Sequence, residues 1–122
     1  MTPTSNNERQ QRGQAAEAQA CRHLQQHGLE LIERNYRCRQ GEIDLIMRAG
    51  KCTVFVEVRY RSNPSFGGAA ASVDPRKQGK LIAAASHYLQ HHPSLAQQPA
   101  RFDVIAVAPG TLEWIRDAFQ AG

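Results

Sequence analysis

The hydrophobic pattern changes period several times along the chain, and each change marks an element. From about Gln11 to His27 the residues are mostly Ala, Gln, Glu and Leu, good helix formers, and Gly28 follows as a stop. Leu29 to Arg37, LELIERNYR, clusters and alternates its apolar residues and predicts a first strand. From Gln40 to Arg61 the period is two on both sides of Arg48-Ala49-Gly50-Lys51, which predicts a β-hairpin. Asp74-Pro75 supplies an N-cap acid and a first-turn proline for a second helix running to about His92. After a link from Pro93 to Ala100, Arg101 to Ala108 reads as a strand and Pro109-Gly110 as a turn. Leu112 to Ile115 reads as a last strand, with Arg116 to Gly122 as a tail or short helical turn.

The hairpin carries the most informative conflict. Alternation puts Ile43, Leu45 and Met47 with Val54, Val56 and Val58 on one apolar face, and Glu42, Asp44 and Ile46 with Phe55, Glu57 and Arg59 on the other. Asp44 and Glu57 thus interrupt strands that are otherwise mostly apolar, a costly place for a carboxylate without a partner. A two-residue loop at Ala49-Gly50 pairs Asp44 with Phe55 and leaves Glu57 diagonal to it. A four-residue loop from Ala49 to Cys52 sets Asp44 directly opposite Glu57. Either register brings the acids together. Two carboxylates so close repel, and a divalent cation taking oxygen ligands is the simplest neutraliser.

The helices add candidates. On the first, Glu17 shares a stripe with Gly13, Cys21, Leu24 and Gly28, and an inward glutamate requires a partner. On the second, the expected inward stripe is Gln78, Leu81, Ile82, Ala85 and Leu89, with Lys77 on the neighbouring line of Leu81, Ala84 and Tyr88. Ser62 to Val73, with Pro64, Gly67 and Gly68, is expected to be a mobile flap. Trp114 and Phe119 are expected to plug the core, and Asp103 to pair with a nearby arginine.

Composition bounds the class. A chain of 122 residues with 41% hydrophobic content suits one domain, placed at residues 11–119, with residues 1–10 expected to be disordered. No apolar run approaches the ~20 residues of a membrane span, and the polar N-terminus has no signal core, so a cytoplasmic protein is expected. Cys21, Cys38 and Cys52 have no paired spacing that would suit a disulfide frame or structural zinc. The net charge is +4, and the segment from Arg34 to Arg61 holds seven basic residues against three acids, which accounts for the whole excess. Cations around an acidic pair suit a phosphodiester backbone, with Arg34, Arg37, Arg39, Arg61 and Gln78 as candidate nucleic-acid contacts.

The order helix, three strands, helix, strand, with acids on the first helix and on strands two and three, resembles the core of the PD-(D/E)xK nuclease superfamily. The specific sequence resembles the YraN-like family of small bacterial proteins related to Holliday-junction resolvases. Gly13, Glu17, Arg34-Asn35, GEIDLI from Gly41, VFVEVR from Val54, Val73, Lys77 and Arg101-Phe102-Asp103 carry the match. The resemblance implies an α/β restriction-endonuclease-like core: helix, three-strand antiparallel meander, helix, strand and a final added strand. It implies Mg²⁺ or Mn²⁺ on Asp44 and Glu57 with Glu17 beside them, hydrolysis of phosphodiesters in DNA including branched DNA, and action as a homodimer. The superfamily's lysine, two residues after the glutamate, is Arg59 here. A guanidinium cannot act as a base, so Arg59 is assigned to the phosphate, and Lys77 is the candidate to take the lysine's part. The competing expectations are a nucleic-acid-binding module with a degenerate site, and acids that merely form buried pairs with Arg34, Arg37 or Arg59.

Overall fold

The computed structural model describes residues 5–61 and 73–121. The chain runs α1 (Ser5–Gln26), β1 (Glu30–Cys38), β2 (Gly41–Ala49), β3 (Cys52–Tyr60), α2 (Pro75–Gln90), α3 (Pro93–Ala96), β4 (Ala100–Ala108) and β5 (Thr111–Phe119). The five strands form one sheet whose spatial order is the chain order. β3 and β4 are parallel and every other neighbouring pair is antiparallel. A parallel pair needs a crossover, and α2 supplies it.

Each face of the sheet is covered by one helix. Ala16, Ala20, Cys21 and Leu24 of α1 pack on Leu45, Met47, Val54, Val56, Ile105 and Val107. Leu81, Ala84, Ala85 and Tyr88 of α2 pack on Ile43, Ile46, Phe55, Phe102 and Val104. The hairpin, read from sequence as having one apolar face, is therefore buried on both. One expected position changes sides: Ile43 lies in the core under α2, whereas Leu45, two residues later, lies under α1. Strict alternation forbids this, so the pleat is broken at Asp44 between them. On α2, the buried line is Leu81, Ala84, Ala85 and Tyr88, while Ile82 and Leu89 are only partly buried. That is the line of Lys77, expected from the sequence to run beside the main stripe.

The register is the one expected for the longer loop, with Arg48 opposite Thr53, although one further pair tightens the turn. Ala49 pairs with Cys52 across Gly50-Lys51, Leu45 pairs with Val56, and Gly50 adopts a left-handed φ of 62° that suits a residue without Cβ. Extended by one residue, this register sets Asp44 across from Glu57, so a tight turn moved one residue along achieves what the longer loop was expected to.

Other boundaries shift for local reasons. α1 begins at Ser5, so the backbone of residues 5–10, expected to be disordered, is helical. Polar residues extend an existing helix at little cost once its nucleus is formed. Asp74 caps α2 as expected, accepting the Lys77 N–H at 2.8 Å. A short helix, α3, occupies the predicted link, and β5 continues through the predicted tail to Phe119, which stacks on Phe102 with ring centroids 4.9 Å apart. Residues 62–72 of the expected flap lie outside the described residues.

Candidate functional site

The site lies where the sheet forks. β2 and β3 are paired from the turn to Leu45 and Val56 and no farther. Beyond that point β2 stays with β1 as far as Gly41, and β3 stays with β4 as far as Tyr60. The fork leaves the Val58 N–H without a ladder partner, and Asp44 Oδ2 accepts it at 2.8 Å. Asp44 therefore replaces a backbone acceptor with a carboxylate, which keeps a charged group wedged between strands that bury all but 8% of its surface.

Around it the chain gathers acids from three elements. Glu57 of β3, 5% exposed, lies beside Asp44 and donates to it when protonated. Glu17 of α1, half-buried, likewise donates to Asp44 only in its protonated form. Two cations face the group: Arg59 Nε stands 3.1 Å and Lys77 Nζ 3.8 Å from Glu57 Oε2. The Arg59 contact is an ion pair by distance but not a hydrogen bond by direction, so its buried Nε–H lacks an acceptor.

The electrostatics follow from that inventory. Burial, then the charge of Asp44, pushes Glu57 from its ordinary 4.5 up to about 8, against the pull of Lys77 and Arg59. Glu17 is pushed up to about 7 by burial and by the charges of Asp44 and Glu42, with a hydrogen bond to Asn35 opposing the rise. Asp44 is also raised, by burial first, with the Val58 N–H pulling the other way. Three carboxylates face two cations. One negative charge is thus left for a proton or an added cation to neutralise.

The donor set suits a hard cation such as Mg²⁺ or Mn²⁺. Among the described residues no group of three His, Cys, Asp or Glu side chains is arranged to hold a metal by itself. Mg²⁺ does not require one, because it keeps several waters and commonly takes one or two carboxylates together with substrate phosphate oxygens. Asp44 and Glu57 meet that need, with Glu17 attached through Asp44.

The remaining predicted residues divide. Lys77 and Arg59 reach the cluster, whereas Gln78 donates its amide to the Val73 carbonyl at 2.9 Å and so braces the start of α2. Arg37 forms an exposed pair with Glu42 at 2.9 Å, and Arg34 and Arg39 are exposed on β1 and just after it. Arg61 continues β3, its backbone N–H donating to Val107 at 2.8 Å. None of Arg34, Arg37 and Arg39 is within ion-pair distance of Asp44 or Glu57, so of the arginines named for buried pairing only Arg59 engages one. Asp103 is structural as expected: fully buried, it accepts from Arg101 at 3.0 Å, Trp114 Nε1 at 2.9 Å and the Asp117 N–H at 2.9 Å. Trp114 is partly buried at the edge of the α1 core, with the Arg116 guanidinium 4.0 Å above its ring. A groove of about 1000 Å³ between α2 and the β4–β5 side, lined by Phe55, Leu89, Phe102 and Phe119 among others, contains none of the carboxylates.

Asn35, named above only among the residues that carry the resemblance, was given no role in the site; its side chain opposes the rise of Glu17, and its backbone has a left-handed φ of 53°. The available signal was an asparagine inside a predicted strand, where that residue is depleted.

Among known proteins the chain is similar throughout its length to bacterial relatives of the same size. A protein of Cupriavidus pinatubonensis is 57% identical over 121 residues, spanning 98% of this chain and 93% of the relative. One from Stutzerimonas stutzeri is 54% identical over 118 residues, spanning 93% and 98%. One from Halorhodospira halophila is 52% identical over 121 residues, spanning 98% and 97%. All three are called UPF0102 proteins. The family model described as "Uncharacterised protein family UPF0102" matches residues 16–107, which include Glu17, Asp44, Glu57, Arg59 and Lys77. The chain belongs to the UPF0102 family.

Proposed function

We propose that this protein is a metal-dependent nuclease of the PD-(D/E)xK kind, related to the YraN-like proteins, that hydrolyses phosphodiesters in DNA. The observation that carries the reading is the uncompensated carboxylate cluster in the fork between β2 and β3, with Arg59 and Lys77 at its rim. Asp44 and Glu57 would hold Mg²⁺ or Mn²⁺, and Glu17 would orient a water in its shell. A bound divalent ion supplies acidity to a coordinated water and neutralises charge on the phosphate oxygens. Arg59 would hold a phosphate oxygen, for which its unpaired Nε–H is suited. Lys77, at the first turn of α2, would place a second positive charge against the same phosphate, where α2's own N-terminal amides also favour an anion. Arg34, Arg37, Arg39 and Arg61 would track the backbone on either side.

A second reading is favoured by Arg59. It occupies the position of the superfamily's lysine and cannot accept a proton, which fits a protein that binds DNA at this site without cutting it. A cleavage assay on linear, flapped and four-way DNA with Mn²⁺ separates the two. Nicking by the wild type that is lost in both Asp44→Asn and Glu57→Gln supports hydrolysis. Salt-sensitive DNA binding without nicking supports the binding module. Nicking that survives both substitutions refutes the assignment of these carboxylates.

A further inference from the structure

The far end of α2 carries two histidines one turn apart. His87 lies in the last turn of the helix and His91 is its C-terminal cap. Residues four apart share a helix face, and the two ring centroids are 4.5 Å apart with the rings tilted by 36°. At 1.5 Å of rise per residue, roughly 15 Å of helix separates His87 from Lys77 at the acidic fork. The pair is therefore a cluster of its own.

Both rings are held by the nitrogen nearer the backbone. His91 Nδ1 lies 2.8 Å from the His87 carbonyl oxygen, an acceptor to which only a protonated Nδ1 can donate. That bond fixes His91 as the tautomer whose Nε2 carries a lone pair. His87 Nδ1 lies 2.5 Å from the hydroxyl of Tyr36 on β1. A hydroxyl accepts as readily as it donates, so Tyr36 can take the His87 Nδ1–H and leave a second Nε2 lone pair on the same helix face. Metal-ligating histidines commonly give one ring N–H to a backbone carbonyl or a water, and here the Tyr36 hydroxyl stands in the water's place. Tyr36 is itself packed edge-on against Tyr88, with centroids 5.1 Å apart, which fixes the position of that hydroxyl.

The other helical pair differs. His23 and His27 of α1 have centroids 4.4 Å apart, and His27 Nδ1 lies 2.8 Å from the His23 carbonyl oxygen. Both of those rings pack in T-shaped contact with Trp114, at 5.8 and 5.5 Å, so an indole takes the place that the Tyr36 hydroxyl has beside His87.

We propose that His87 and His91 form a two-nitrogen site for a late first-row divalent cation, Zn²⁺, Cu²⁺ or Ni²⁺, with Tyr36 as its outer partner and water in the remaining positions. Imidazole suits these ions, whereas the oxygen donors of the fork suit Mg²⁺ or Mn²⁺, so the two sites differ in kind. Metal–nitrogen bonds of about 2.0–2.1 Å set two ligating nitrogens roughly 3 Å apart, a separation the tilted rings reach by rotation about χ1 and χ2. Among the described residues no third His, Cys, Asp or Glu completes the set, which leaves the ion open to a further ligand.

The test is a Zn²⁺ titration of the full-length, ¹⁵N-labelled protein near neutral pH, followed by ¹H–¹⁵N correlation of its five histidine rings. Binding to carboxylates does not enter this readout. The Nε2 resonances of His87 and His91 are expected to move together and to saturate at a single equivalent, ahead of those of His23 and His27. Tyr36→Phe is expected to weaken Zn²⁺ at this pair by roughly tenfold or more, the usual range for an outer partner. His91→Gln, at an exposed position, is expected to remove the response of His87 at the same Zn²⁺ concentrations. Silence of His87 and His91, an equal response of both helical pairs, or an unchanged affinity in Tyr36→Phe would overturn the proposal. Should Tyr36→Phe lower the thermal midpoint, His91→Gln decides, because a His87 response that survives it refutes a paired site.

Discussion

The raised pKa values make stability fall as pH rises, the reverse of the usual trend for proteins whose carboxylates are salt-bridged. Glu57 titrates at about 8 in the fold and at 4.5 when unperturbed. The folded state therefore binds this proton more tightly than the unfolded state. The stabilisation is complete below 4.5 and is lost as pH rises through 8. At about 1.36 kcal/mol for each pH unit between those limits, the loss from pH 5.5 to pH 8 is on the order of 3 kcal/mol. Glu17 adds to the same trend between 4.5 and about 7, by less because it is more exposed. Against a typical domain stability of about 5–15 kcal/mol, this is a large fraction. Urea unfolding in EDTA at several pH values from 5.5 to 8.5 measures it. The wild type is expected to lose stability across this window, and Glu57→Gln, neutral and nearly isosteric, to show a much flatter profile. Saturating Mn²⁺ should restore the wild type most at pH 8, where fewer protons compete for the carboxylates. A wild-type profile that is flat or rises across the window, or an equal slope in Glu57→Gln, would refute the reasoning.

Two predictions concern the frame around the site. Asp103→Ala leaves the Trp114 indole N–H, the Asp117 N–H and the Arg101 guanidinium without their buried acceptor. It should cost about 3–5 kcal/mol, read by chemical denaturation, with a red-shifted tryptophan emission from the only tryptophan in the chain. A loss below about 1 kcal/mol would show that β5 repacks around the gap. Gly41→Ala places a methyl group 3.2 Å from the backbone carbonyl oxygen of Lys80, so β2 and α2 must move apart. It should destabilise by about 1–3 kcal/mol and reduce Mn²⁺ affinity, because α2 also carries Lys77; unchanged melting would mean that the turn before β2 absorbs the shift.

The two-residue period made the hairpin legible, and the acids stood out because they broke it. The gathering of Glu17 and Lys77 followed from helical periodicity, although Lys77 belonged to the buried line of α2 rather than beside it. What could not be read was the fork. Alternation is a local rule, and whether β3 follows β2 or β4 beyond Val56 depends on a partner strand more than forty residues away in sequence. The change of faces at Asn35 and Asp44 was hidden for the same reason, because strict alternation was assumed through the residues that violate it. β5 was read too short because Arg116 and Asp117 look like a turn. They form a bulge instead, with Asp117 at a φ of 50° donating its N–H to Asp103.

The fork also determines how substitutions at Asp44 must be interpreted. A strand can leave its neighbour only if the freed backbone groups find other partners, and the Val58 N–H finds Asp44. Asp44 thus has a structural duty and a charge, and the two separate by chemistry. Asparagine keeps a carbonyl oxygen that can accept the Val58 N–H while removing the negative charge. Alanine removes both and leaves a buried donor unsatisfied, at about 1–3 kcal/mol. Removing the charge alone also relieves repulsion with Glu57 and Glu17, so Asp44→Asn should match or exceed the wild type in stability at pH 8 without metal. Asp44→Ala should fall below Asp44→Asn under the same conditions, by the cost of the orphaned donor. Loss of cation binding in Asp44→Asn with stability retained then reports on the site itself. The same loss in Asp44→Ala would report on the fork as well. Equal stability of the two variants at pH 8 would mean that Val58 needs no acceptor, and that the fork is held open by the pairing of β3 with β4 alone.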